Sequence, residues 1–107
     1  MKLVETFYTR DHSFKSILNR MKSMFTTIDI YRNESDMFEE FDTSLNHDWA
    51  ISNLEDFYVL CDYTLDNLFR VTFFGNFIAI EFANKELYKQ YIQIAIADYQ
   101  KSKELAS

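Results

Sequence analysis

Eleven carboxylates stand between Asp29 and Asp66 (Asp29, Glu34, Asp36, Glu39, Glu40, Asp42, Asp48, Glu55, Asp56, Asp62 and Asp66), opposed there only by Arg32. Three kinds of chemistry are open to such a run. Clustered acids can hold a hard cation, but no stretch carries the calcium-loop pattern with its central glycine. Paired acids can share acid–base work, yet among so many carboxylates some pair falls at a glycosidase-like separation by chance. A single-sign field can also receive the Lys and Arg side chains of a partner and steer it in.

The charge is segregated along the chain. Residues 1–28 hold five bases and two acids (+3), residues 29–66 eleven acids and one base (−10), and residues 67–107 five bases and four acids (+1), which accounts for the formal charge of −6. Mixed signs would serve solubility better, and self-repulsion of this kind destabilises the compact state unless a partner relieves it. A charge run is nonetheless most often a solvated face.

The other reactive side chains are few. His12 and His47 are the only histidines and Cys61 the only cysteine, too few for a structural zinc site, which takes four N or S ligands. Cys61 falls on the apolar period of its segment, where a thiol behaves as a small hydrophobe. Its neighbour Asp62 raises rather than lowers a thiol pKa. No phosphate loop, nucleophile elbow or dinucleotide fingerprint is present. No cofactor, metal or catalytic residue is expected, a small enzyme without a recognisable motif being a further rival that a buried carboxylate of raised pKa in a cleft would favour, and the net acidity argues against direct binding to nucleic acid.

The length of 107 residues bounds the chain to one domain, residues 1–107. Hydrophobic residues at 48 % and aromatics at 18 % exclude disorder. A single cysteine and no apolar leader near Met1 lead us to expect a reducing, cytoplasmic location. Apolar runs of four or five residues are too short to cross a bilayer.

The elements that must carry the acids follow from periodicity. Lys2–Tyr8 reads as a strand. Asp11 or Ser13 caps a helix buried along Phe14, Ile17, Leu18, Met21 and Phe25, and Thr26–Tyr31 reads as a short strand. Asn33 with Asp36 resembles a helix N-terminal cap, and Met37, Phe38, Phe41 and Leu45 continue at helical spacing. Beyond Asp48, taken as a cap, Ala50, Leu54, Phe57, Cys61, Leu65 and Leu68 recur at intervals that favour a helix over about 49–62. The aromatic, β-branched piece 57–63 equally fits a strand.

The strongest local signal is Gly75-Asn76 between Phe69–Phe74 and Phe77–Phe82, a type II′ hairpin. It pairs Phe74 with Phe77, Val71 with Ile80 and Arg70 with Glu81. Asn84 then caps a long helix to about Lys103, with Tyr88, Tyr91, Ile92, Ala95 and Tyr99 as its core stripe. The fold class expected is α+β: a small, mainly antiparallel sheet including the 69–82 hairpin, packed against helices that include the long C-terminal one.

The function expected is that of a non-catalytic acidic inhibitor binding the basic site of a partner protein. The partner would be a nucleic-acid-handling enzyme such as a nuclease toxin met by its immunity protein, or a host enzyme met by a phage-type blocker. Glu39, Asp42, Asp48, Glu55 and Asp56 supply charge in this reading, and Trp49 and Tyr58 supply aromatic anchors of the hot-spot kind. The N-terminal strand and helix and the acidic segment Asn46-His47-Asp48-Trp49-Ala50 resemble the barstar group over barely half of the chain. The hairpin and the long final helix depart from that pattern. The competing reading is an adaptor that self-associates through aromatic surface at Phe74 and Phe77, with the acids only solvating.

Overall fold

The computed structural model describes residues 3–8, 14–39 and 45–106, with side chains over 15–38 and 45–101. One antiparallel sheet of five strands organises the chain, in the order β1-β5-β4-β3-β2. The strands are β1 (Leu3–Tyr8), β2 (Ile28–Tyr31), β3 (Asp56–Cys61), β4 (Leu68–Phe74) and β5 (Phe77–Phe82). The helices are α1 (Phe14–Met24), α2 (Glu34–Glu39), α3 (His47–Asn53) and α4 (Lys85–Ala106). The α+β class and the long C-terminal helix are as expected.

The hairpin holds in full. Phe74 pairs with Phe77, Val71 with Ile80 and Arg70 with Glu81. Gly75 takes φ 54 and Asn76 does not share a positive φ, the combination a type II′ turn requires. An added Cβ at Gly75 would meet nothing within 4 Å, so backbone conformation and not space selects glycine there.

Alternation then fixes two unlike faces. Phe57, Val59, Cys61, Phe69, Val71, Ile78, Ile80 and Phe82 join one buried cluster with Ile17, Leu18 and Met21 of α1, Ala50 of α3, and Leu87 and Tyr91 of α4. On the opposite face, among the described residues, one end is covered, where Met37 of α2 packs with Tyr31, Leu60 and Leu68. α1 and α4 are tied together by buried Arg20, whose Nε donates to Asp98 Oδ2 at 3.3 Å and whose Nη1 donates to Tyr91 Oη at 3.4 Å.

The middle of the chain corrects the expected helix over 49–62. α3 ends at Asn53, Leu54 turns extended (φ −109, ψ 139), and β3 follows. The ambiguity was physical: residues four apart, such as Phe57 and Cys61, share a face in a strand as well as in a helix. Pairing decides it, because β3 is hydrogen-bonded on both sides, to β2 and β4. The cap of α3 is Asn46, which accepts from Trp49 N–H at 3.1 Å, and not Asp48. Asn33 does cap α2, accepting from Asp36 N–H at 2.9 Å. Leu45 lies outside any helix, bridged to Ile30, and Phe41 falls outside the described residues. In α4, Asn84 accepts from Leu87 N–H at 2.8 Å, but Tyr99, expected in the core stripe, is 68 % exposed, so the buried stripe ends before it.

β3 turns into a short 3-10 segment (Leu65–Asn67) through Asp62 and Tyr63, both at positive φ (51 and 58). Thr64 N–H closes this turn on Cys61 C=O at 3.3 Å. A tyrosine in the left-handed region is strained, and here it is 73 % exposed. Tyr63→Gly, which makes the favoured Asp-Gly pair, is expected to stabilise the protein by about 1 kcal/mol in urea unfolding. Tyr63→Ala should leave stability nearly unchanged.

Candidate functional site

The sequence segregation of charge becomes a lateral segregation across the sheet. Residues 29–66 build β2, α2, α3 and β3, which occupy one side, while β1 is the far edge, four strand spacings or about 19 Å away. Two groups of side chains form on the acidic side.

The first lies on the less covered face of the sheet. Tyr58 and Arg70 are cross-strand partners, and the Arg70 guanidinium carbon sits 5.6 Å from the Tyr58 ring centroid. Arg70 grips Asp56 with two bonds, Nε to Oδ1 at 3.2 Å and Nη2 to Oδ2 at 2.8 Å, and Thr72 Oγ1 adds a third at 3.4 Å. Tyr58 Oη donates to Glu34 Oε1 at 3.1 Å. Beside this network Phe74 and Phe77 stack at 5.7 Å and 20°, with Phe74 half exposed. These contacts hold the aromatic and charged side chains in defined positions, which lowers the entropy lost on binding.

The hydrogen bonds from Arg70 hold the Asp56 carboxyl below its ordinary pKa, against the opposing effect of burial. The Tyr58 hydroxyl is raised, chiefly by desolvation. A depressed folded-state pKa contributes stability above the unfolded carboxylate value, and that contribution is lost as pH falls through the folded value. Because the pair is about two-fifths exposed, its expected contribution is small, roughly 0.2–1 kcal/mol. Asp56→Asn should therefore narrow the stability gap between pH 7 and pH 2, measured by urea unfolding at both values.

The second group surrounds α3. Trp49 is 44 % exposed, and the Arg32 guanidinium carbon lies 5.7 Å from its ring centroid. Asp48 is exposed beside an open depression lined by Lys22, Leu45, Asn46 and His47. Glu55, between α3 and β3, keeps its side chain in solvent while its carbonyl accepts from Phe73 N–H at 2.7 Å.

The structure thus brings Asp56 and Tyr58 together and sets Asp48 and Trp49 apart from them, since α3 packs on the helix-covered face through Ala50. Asp42 lies outside the described residues, as does the side chain of Glu39. Sequence reasoning missed Arg70 as the partner of Asp56. It saw only Glu81 directly opposite, and the diagonal contact has no local signal.

Other acids are engaged in structure. Asp62 accepts from Thr26 N–H (3.0 Å) and Thr27 N–H (2.8 Å). Asp29 Oδ2 is buried without a hydrogen-bond partner among the described residues. His47 Nε2 donates to Ile28 C=O at 3.0 Å. Cys61 is fully buried, and burial first, then Asp62 and Asp29, push its thiol up to about 12, so it is protonated at neutral pH. No group of three or more His, Cys, Asp or Glu that could hold a metal occurs among the described residues. No helix among them is long and apolar enough to cross a membrane. No protein family, curated protein or solved structure matches this chain.

Proposed function

We propose that the protein is a non-catalytic acidic inhibitor that engages the basic site of a partner protein, a nucleic-acid-handling enzyme. The observation that carries this reading is the −10 charge of residues 29–66, of which the described part builds β2, α2, α3 and β3 on one side of the sheet. Glu34 stays exposed beside the braced Tyr58 on one face of that side, and Asp48 stays exposed beside the exposed Trp49 on the other, helix-covered face, with Glu55 exposed between α3 and β3. Carboxylates around rigid aromatics suit a surface that takes up Lys and Arg from a nucleic-acid-binding cleft. Arg32 and Arg70, the bases within reach of Trp49, Tyr58 and Asp56, are themselves engaged with those residues and form no ion pair with Glu34, Asp48 or Glu55.

The test is capture from the source cell's lysate at low and then high salt, compared with the variant Asp48→Lys/Glu55→Lys. One basic nucleic-acid enzyme is expected on the wild-type protein, released as ionic strength rises, inhibited by it in solution, and bound roughly tenfold or more weakly by the variant. An enzyme bound equally by the variant, or retained but not inhibited, overturns the reading. A second reading, self-association through Phe74 and Phe77, is favoured by the half-exposed stacked pair. It predicts salt-insensitive assembly that Phe74→Ser abolishes.

A further inference from the structure

The two edges of the sheet are treated differently. The β2 edge is closed by the chain itself: Ile30 C=O accepts from Leu45 N–H at 2.8 Å and Ile28 C=O from His47 Nε2 at 3.0 Å. At the opposite edge, no strand lies beyond β1 among the described residues. Among the described residues, Glu5 is the one edge protection that β1 carries. The strand has no proline, glycine, lysine or bulge, and unbroken pairing with β5 from Leu3–Phe82 to Tyr8–Phe77.

The direction of its free hydrogen-bonding groups follows from the ladder. Ala83 N–H bonds Leu68 C=O at 3.1 Å, so Phe77, Ala79 and Glu81 also face β4, and Ile78, Ile80 and Phe82 face β1. Their partners Phe7, Glu5 and Leu3 bond inward. Val4, Thr6 and Tyr8 therefore direct their N–H and C=O groups away from the sheet.

We propose that this edge is a dimer interface, in which β1 pairs antiparallel with β1 of a second copy about a two-fold axis at Thr6. In that register Val4 lies opposite Tyr8 of the second copy, Thr6 opposite Thr6, and Glu5 opposite Phe7. Every outward N–H and C=O of the three residues finds a partner. Shifting the axis by one residue places Glu5 opposite Glu5 and leaves Tyr8 without a partner inside the strand. A second copy suits this edge because the edge is self-complementary in register and because two chains of net charge −6 meet there with their acidic sides outermost. The sheet then runs continuously through ten strands, five from each copy, with two acidic surfaces at its ends.

Analytical ultracentrifugation between about 1 µM and 1 mM reads the dissociation constant. Thr6→Pro removes an outward N–H without touching the bond to β5, and proline is tolerated at such edge positions. It is expected to weaken the dimer at least about 100-fold by removing pairing along the whole strand, with the circular dichroism spectrum unchanged. Thr6→Cys places two thiols across the axis with Cα atoms about 5.5 Å apart, within disulfide range, and is expected to form an oxidised dimer. Val4→Cys, whose copies stand about 14 Å apart, is not. Should Thr6→Pro unfold, the two cysteine variants decide alone, since buried Cys61 stays out of the reaction. A monomer up to about 1 mM, a dimer unaffected by Thr6→Pro, or equal cross-linking of both cysteine variants overturns the proposal. So does a dimer lost in Phe74→Ser but kept in Thr6→Pro, which would assign assembly to the aromatic pair.

Discussion

Phe69→Ala is expected to remove about 3–5 kcal/mol of stability, the range for emptying a large aromatic site in a core. Phe69 is fully buried near the start of β4. Its ring meets those of Phe25 at 6.3 Å, Phe82 at 5.6 Å and Tyr91 at 6.3 Å, so it joins the C-terminal end of α1, where Phe25 N–H bonds Met21 C=O, to β5 and α4 at one point. Phe82 and Tyr91 are held within β5 and α4 and collapse poorly into the space, which places the effect toward the upper end. Domains of this size hold roughly 5–15 kcal/mol in all, so the variant should sit near the limit of folding. A fall in Tm of about 15–30 °C follows. Phe69→Leu, which keeps most of the apolar volume, is expected to lose less than half as much. Calorimetry of the two variants checks the pair of values, and a loss under about 1 kcal/mol for alanine would show that the aromatic junction does not hold the layers together.

Asp62→Ala is expected to cost about 2–3 kcal/mol although the residue is exposed, because hydrogen bonds to charged groups contribute more than neutral ones. The carboxylate satisfies two successive N–H groups, those of Thr26 and Thr27, where the chain leaves α1 for β2. Its own N–H donates back to Thr27 C=O at 2.9 Å. The residue also sits at φ 51, where aspartate is tolerated and alanine is strained. Asp62→Asn keeps an acceptor and the conformational tolerance and should lose less than half as much. Urea unfolding of the two variants separates the contributions. Equal losses would show that charge matters more than the acceptor. This role removes Asp62 from the acids available to a partner, just as Asp56 is partly committed to Arg70.

The elements legible in the sequence are those whose information is local. The II′ hairpin was written by Gly75-Asn76 and by two flanking apolar alternations that agree on one register. α1 was written by a single buried stripe, and α4 by Asn84 and its period of 3.6. Over residues 49–62 the sequence was ambiguous for a stated reason. Apolar positions four apart serve both periods, and short amphipathic pieces lack the length that would choose between them.

Tertiary structure alone decided the rest. It made residues 56–61 a strand, because a central position gives their backbone groups partners on two sides. It brought β1 onto β5, 69 to 79 residues away in sequence from Tyr8–Phe77 to Leu3–Phe82, a pairing with no local signature. It also decided what the acids are. The sequence by itself determined that negative charge is concentrated in one third of the chain. The fold set the described part of that third on one side of the sheet, tied Asp56 to Arg70 and Asp62 to a turn, and left Glu34, Asp48 and Glu55 in solvent. Composition sets how much charge a chain carries, but which carboxylates are free depends on hydrogen-bond partners that only long-range packing supplies.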